Sequence, residues 1–357
     1  MLFSSLLAYL KPRSPRSRKP QRPRAALGWP FRPRLEQLED RTVPSNFTAA
    51  SVSDLIADIN AANLAGGSNT ITLVSGTTFT LTAWDNYTHG PTGLPVIAAN
   101  DNLTILGNSD TIARSTAAGT PEFRLLDLAA GASLTLKNLT LQGGLAFGYG
   151  VAAEGGAIYS QGTLDLNGAT VQNNIAQGDG TYAPSGGTYT PSGGVLTAAG
   201  GGIYSSGSLT LEAGTRILTN QAVGGPGYFY WLSGDGGPPA VAAAGDGLGG
   251  GLYVAGGTLT VTNASVSSNT ALGGQGVDWS SYSENRDLGQ TFSLSPDNGG
   301  NGISKHSPHG RPGLGEGGGI YIYPGAWVSL DAFTLAHIQQ NKASTSDPDI
   351  AGSYSTI

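Results

Sequence analysis

The chain has no cysteine, which excludes a disulfide framework, a thiolate metal site and a thiol nucleophile. No apolar run approaches the 18 or so residues that a bilayer-spanning helix needs, so no transmembrane helix is expected. Charge is sparse, at 12% of residues, and positive charge is scarcer still beyond the first 45 positions. Those 45 carry ten Lys/Arg against three acids, and the rest carries eight against twenty-one. An acidic body without a clustered basic face argues against nucleic acid as a ligand.

What is abundant is glycine, 56 of 357 residues, about twice average usage. It follows no three-residue period, which rules out collagen. With 39% apolar residues and plentiful Thr, Ser, Asn and Val, the composition is that of many short strands joined by tight turns. Residues 1–45 differ from the rest. Prolines at 12, 15, 20, 23, 30 and 33 deny a long helix there, so 1–45 reads as a disordered basic leader and 46–357 as one folded domain. In MLFSSLLAYLKPRSPRSRK the apolar run precedes the basic one, the reverse of an ordinary secretory signal.

The stretch SVSDLIADINAANLAGG, 51–67, predicts one short helix. Leu55, Ile56, Ile59 and Leu64 fall at helical spacing, Ser53 or Asp54 caps the start, and Gly66-Gly67 ends it. From Asn69 the pattern is all strand, as in NTITLVSGTTFTLT, which alternates with period two. Four later stretches repeat one text: EGGAIYSQGTLDLNGATVQNN from Glu154, AAGGGIYSSGSLTLEAGTRILTN from Ala198, GLGGGLYVAGGTLTVTNASVSSN from Gly247 and GEGGGIYIYPGAWVSLDAFTLAHIQQN from Gly315.

The double glycines, Gly155-Gly156, Gly201-Gly202, Gly250-Gly251 and Gly318-Gly319, permit a bend where a side chain would clash. The aliphatics that follow, Ile158, Ile203, Leu252 and Ile320, point inward. The next residues, Tyr159, Tyr204, Tyr253 and Tyr321, point outward as a ladder. Each repeat closes on an asparagine three residues after an inward aliphatic, at Asn174, Asn220, Asn269 and Asn341, which marks a turn. One such coil cannot bury its own apolar face. Stacked coils, about 4.8 Å apart, pair their backbones and align their aliphatics into a column, with the helix near residue 55 covering the first coil. Seven to nine coils are expected.

At these residues the chain resembles the repeats of polymorphic outer membrane proteins, whose paired signatures read GG-[Ala/Gly/Ser]-Ile and Phe-x-x-Asn. The first appears as GGAI at 155–158, GGGI at 200–203, GGGL at 249–252 and GGGI at 317–320. In the second, Val or Ile replaces Phe, which keeps an inward apolar residue. The resemblance covers roughly residues 50–357. It implies an all-β, right-handed single-stranded parallel β-helix with a short N-terminal capping helix, and an extracellular or cell-surface, adhesin-like role. LEQLEDRTVPS, Leu35 to Ser45, resembles a segment near the start of many exported or surface proteins of planctomycete-type bacteria. The family's C-terminal membrane barrel is missing, and DIAGSYSTI stops mid-phrase for a repeat array, so a longer gene product is an expectation.

Three Gly-rich insertions of growing length, about 178–199, 224–248 and 273–316, fall at one point of the repeat, and insertions at one point of a solenoid emerge on one face. Exposed-type aromatics collect in them: Tyr182 and Tyr189, then Tyr228, Phe229, Tyr230 and Trp231, then Trp279 and Tyr282. Such rings stack on sugars or anchor a protein interface, or else fold back over their own loop. A polysaccharide or a surface protein is therefore the expected partner, through Tyr228, Phe229, Tyr230, Trp231, Trp279 and Tyr282.

An alternative, a polysaccharide lyase or glycoside hydrolase on the same fold, requires three or more ionisable side chains from different coils converging in a groove. The repeats offer little of that. Asp165, Glu212 and Asp331 read as solvated corner residues, and Glu154 and Glu316 as ordinary turn charges. His306 and His309 with Asp297 lie in a proline-containing loop that is poorly preorganised for a metal. No catalytic residue, metal ligand or cofactor is assigned. A third alternative is a structural envelope component whose coils stack end to end.

Overall fold

The computed structural model describes residues 44–148, 151–179, 196–230, 240–277 and 310–357. The leader expected over 1–45 lies almost wholly outside them. A coil consists of strands Thr163–Asn167, Thr170–Gln172, Ile175–Gln177, Ala198–Ala199 and Ile203–Ser205, after which Ser208–Leu211 begins the next coil. Each strand pairs in parallel with its counterparts one coil before and one coil after. The result is five parallel sheets of nine, seven, five, four and six strands, in the order the chain visits them. We call these the first to fifth faces. The protein is an all-β parallel β-helix.

Alternation along each strand fills the interior. On the first face Leu103, Leu134, Leu164, Leu209, Leu259 and Val328 stand in register. On the fifth, Leu126, Ile158, Ile203, Leu252 and Ile320 do the same. All are buried and belong to one continuous core, because an in-register parallel stack repeats every inward position above itself.

The expected helix is α1, Val52–Ala65, with Gly66 ending it at φ 61°. Its cap is Ser51, two residues before the nearer predicted candidate, Ser53. The Ser51 hydroxyl accepts from the Asp54 amide (3.2 Å), and the Asp54 carboxylate accepts in return from the Ala50 amide (3.2 Å), a reciprocal capping arrangement. Leu55, Ile59 and Ala62 enter the core. Leu64, expected on the same face, is 90% exposed, since the buried stripe runs i, i+4, i+7 and position 64 falls past it. The domain begins with strand Ser45–Ala49, whose Ser45 pairs with Asn69, one residue before the expected boundary.

The closing asparagines do more than turn the chain. Asn174, Asn220, Asn269 and Asn341 are buried and form an internal amide ladder. Each Nδ2 donates to the Oδ1 of the next, at 2.9, 3.0 and 3.0 Å, and also to an inward carbonyl one coil back, those of Leu141, Val171, Ile217 and Val266. Each Oδ1 from Asn220 on also accepts the backbone amide of the preceding asparagine. The ladder ends on the Asp349 carboxylate, 2.8 Å from Asn341 Nδ2. Every amide hydrogen and oxygen is thereby used inside the coil, as buried polar groups require.

To aim these side chains inward, the residue before each asparagine adopts a left-handed backbone: Asn173, Thr219, Ser268 and Gln340, at φ between 54° and 58°. Thr219 is the β-branched member, and left-handed angles cost an L-residue with a branched β-carbon about 1–2 kcal/mol. Thr219→Asn is expected to raise stability by about 1 kcal/mol, read as a higher midpoint in urea unfolding. Asparagine tolerates the angle, and its amide reaches the Asn173 oxygen that the Thr219 hydroxyl now contacts at 2.7 Å.

Candidate functional site

The glycine motif sets the outer geometry. At Gly201 a β-carbon would lie 2.3 Å from the carbonyl oxygens of both Gln221 and Gly250, so the bend between fourth and fifth faces is packed backbone to backbone. The left-handed residue is the glycine before that pair, Gly200 (φ 68°), with equivalents Gly155, Gly249 and Gly317. Of these four, only Gly155 belonged to a predicted pair. The extra glycine in the three later copies was the available signal.

Directly after the bend, Ile158, Ile203, Leu252 and Ile320 point into the core and the tyrosines point out, as expected. Their rings stack at 5.1, 5.4 and 5.1 Å between centroids, with planes within 4°. The inner rings, Tyr204 and Tyr253, have both faces covered by neighbouring tyrosines. Burial among neighbours, with the Glu154 charge second, raises the Tyr204 hydroxyl far above the ordinary tyrosine range.

The N-terminal end of this ladder is where the structure departs most from the sequence reading. Bridges Thr92–Arg124 and Ile97–Leu128 place the segment carrying His89 one coil before Arg124 and Asp127. Asp127 occupies the tyrosine position one coil before Tyr159. His89 reaches over it: its Nδ1 lies 2.9 Å from the Asp127 carboxylate, and its ring stacks on Tyr159 at 4.8 Å. The imidazole thus caps the tyrosine stack and leaves Nε2 for other partners. Arg124, 4% exposed, donates to the His89 carbonyl (2.6 Å) and lies over the Tyr159 ring at 5.2 Å.

Glu154 completes the group. It is half-buried, and desolvation raises its carboxyl above the usual range, opposed by the Arg124 charge and a hydrogen bond with Tyr204. Glu154 is therefore not the solvated turn charge its place before a double glycine suggested. Histidine, arginine and two carboxylates from three successive coils converge here, and the raised Glu154 carboxyl is a perturbation of the kind that marks functional sites. They converge in a packed end rather than a groove: Arg124 and Asp127 are buried, and His89 exposes 31% of its side chain. Sequence reading missed His89, Arg124 and Asp127. The one signal was FRLLDL, where an acid stands at the outward position later held by tyrosine.

A raised carboxyl has a signed consequence. The folded state holds the Glu154 proton to higher pH than the unfolded chain does, so the wild type loses stability as pH climbs through and above 4.5. Glu154→Gln is expected to raise the urea midpoint at pH 8 and to match wild type below pH 4. Urea titrations at both values check this.

The other corner charges are local. Glu212 pairs with Asn167. Asp331 caps helix α2, Ala332–Ala336, accepting from the Thr334 amide (2.8 Å) and from the Asn263 amide (2.9 Å), and hydrogen bonding with Thr334 first among its causes holds this carboxyl low. Glu316 meets the Ser346 hydroxyl at 3.4 Å.

All three insertions leave after the third face and return on the fourth. They follow strands Ile175–Gln177, Gln221–Val223 and Thr270–Leu272 and precede Ala198–Ala199, Gly247–Leu248 and Gly315–Glu316. Their glycine stems bond to each other coil to coil, through Gly225 to Leu196, Gly245 to Gly225, Gly274 to Gly245 and Gly313 to Gly274, at 2.7 to 2.9 Å. In the second insertion Tyr228–Tyr230 pairs antiparallel with Ala240–Ala242, which sets Tyr228, Phe229 and Tyr230 on a hairpin. Trp231, Trp279 and Tyr282 lie outside the described residues, as do Tyr182, Tyr189, Asp297, His306 and His309. Among the described residues no helix is long and apolar enough to cross a membrane. No family model, curated protein or solved structure matches this chain.

Proposed function

We propose that the protein is a non-catalytic, secreted or cell-surface β-helix, adhesin-like in role, that presents its insertion loops to a polysaccharide or a surface protein. The observation that carries this reading is the common origin of the loops. Three insertions leave one edge of the coil on stems hydrogen-bonded to each other, so loops rich in aromatic residues start side by side from a rigid frame, the arrangement on which recognition surfaces are built. The test is a glycan and matrix-protein array probed with the full chain and with a variant replacing Tyr228, Phe229, Tyr230 and Trp231 by serine. Binding by the wild type that is lost in a folded variant supports the reading. Equal binding by both, or binding by neither, counts against it.

A second reading, a carbohydrate-active enzyme, is favoured by the His89, Arg124, Asp127 and Glu154 convergence. A buried carboxylate orienting an imidazole beside a carboxyl with raised affinity for its proton is acid–base equipment. It predicts release of reducing ends from an acidic polysaccharide that stops in His89→Ala. No release from a panel of such polysaccharides would remove it.

A further inference from the structure

The second face carries a groove of about 540 Å³, within the usual size range of ligand sites, whereas the insertions leave after the third face and return on the fourth. Its floor is formed by outward side chains of three successive strands, among them Arg216, Ser265, Ser267 and Gln339. Its wall is helix α2, which exists because one corner is longer than its counterparts. Val261 to Val266 is five residues, whereas the equivalent Leu330 to Ile338 is eight. The three extra residues swing out as the helix and carry Phe333 and His337 over the strand floor.

The wall is fixed in place. Besides its Asp331 cap, the buried Thr334 hydroxyl accepts the Ala264 amide (3.3 Å), and His337 Nδ1 lies 2.7 Å from the Phe333 carbonyl. The His337 ring covers one face of Phe333 at 3.9 Å, yet Phe333 remains 45% exposed. Held rings of this kind lose little freedom when a ligand arrives.

We propose that this groove binds an acidic saccharide, a segment of a uronic acid polymer. Four chemistries converge as such a ligand requires. Phe333 offers an exposed apolar ring for the C–H face of a sugar. Ser265, Ser267 and Gln339 offer hydroxyls and an amide for ring hydroxyls, and Arg216 offers a planar fork matched to a carboxylate. Among the described residues, none of these four side chains makes a hydrogen bond or ion pair of its own. Strand addition by an extended peptide would be confined to the outer edge of Ile338–Gln339, the last of the seven strands, because the other two floor strands are paired on both sides. The site is independent of the loop surface and stands or falls separately.

The test is calorimetric titration of the full chain with a mannuronate tetramer and with its neutral counterpart, mannotetraose. The acidic tetramer is expected to bind at least tenfold more tightly than the neutral one. Phe333→Ala should weaken both by tenfold or more. Arg216→Gln should weaken only the acidic tetramer and abolish the preference. Both substituted residues are on the surface, and unchanged urea midpoints will show that the fold survives. The variant with serines at 228–231 should bind the tetramer as wild type does, which separates this site from the loops. No binding of the acidic tetramer, equal binding of the two sugars, or affinity unaffected by either groove variant would overturn the proposal.

Discussion

Asn220→Ala is expected to lower the unfolding free energy by about 4 kcal/mol, the largest effect of any single side-chain truncation considered. The substitution strands three buried groups at once: the Val171 carbonyl, the Asn174 side-chain amide and the Asn174 backbone N–H. Each orphaned buried partner costs about 1–3 kcal/mol, and the amides of a ladder polarise one another, so the loss is shared along it. Asn220→Asp is expected to fare no better at pH 7. It would turn a second oxygen toward the Val171 carbonyl and the Asn269 Oδ1, and it should recover in part as the solution is acidified and the new carboxyl protonates. Urea unfolding at pH 7 and pH 4 measures both. A loss under 1 kcal/mol for the alanine variant would show that the ladder is incidental to the fold.

Asp127→Ala is expected to cost about 3 kcal/mol. Asp127 is wholly buried and serves two partners, the His89 ring 2.9 Å from its carboxylate and the Arg124 cation through the local field. Removing one partner of a buried charge group leaves the other uncompensated, which costs more than the pair itself was worth. The same reasoning predicts strong non-additivity. Arg124→Met alone should also destabilise, but the double variant Arg124→Met/Asp127→Leu should recover most of the loss, because neither charge then needs the other. A double-mutant cycle in urea reads this directly, and additive losses would show that the two residues act apart.

These two predictions divide along what the sequence makes legible. A repeat writes the same physics four times, so the parallel β-helix, its inward columns, the tyrosine ladder and the common point of the insertions were all readable from period and alternation. The burial of the asparagines was less visible. A turn residue and an internal ladder residue share the same letter, and only the stacked geometry shows that Asn220 faces inward while Thr219 absorbs the left-handed angle. The charged end of the ladder was not legible from the repeat. His89, Arg124 and Asp127 precede the first double glycine, and their meeting depends on an irregular segment, 82–100, folding back across one coil. Leu64 shows the same limit locally, since apolar character alone does not place a residue on the buried stripe. The Phe333 wall arises from three extra residues at one corner, a departure from the repeat that reads as noise until the strands are set in register.

If the insertions serve recognition, the coils fold without them. The ends of each insertion meet: Gly178 packs against the Leu196 carbonyl, Tyr230 pairs with Ala240, and Gly310 bonds to Val277 at 2.8 Å. Residues 180–195, 231–239 and 278–309 are therefore replaceable by short Gly-Ser closures with little loop entropy at stake. The measurement is a urea titration of that trimmed protein alongside array binding. A cooperative transition within about 1 kcal/mol of wild type, with the loop-dependent array binding lost and the mannuronate tetramer still bound, is the predicted result. A trimmed protein that fails to fold, or one that folds and binds the array undiminished, would contradict the account.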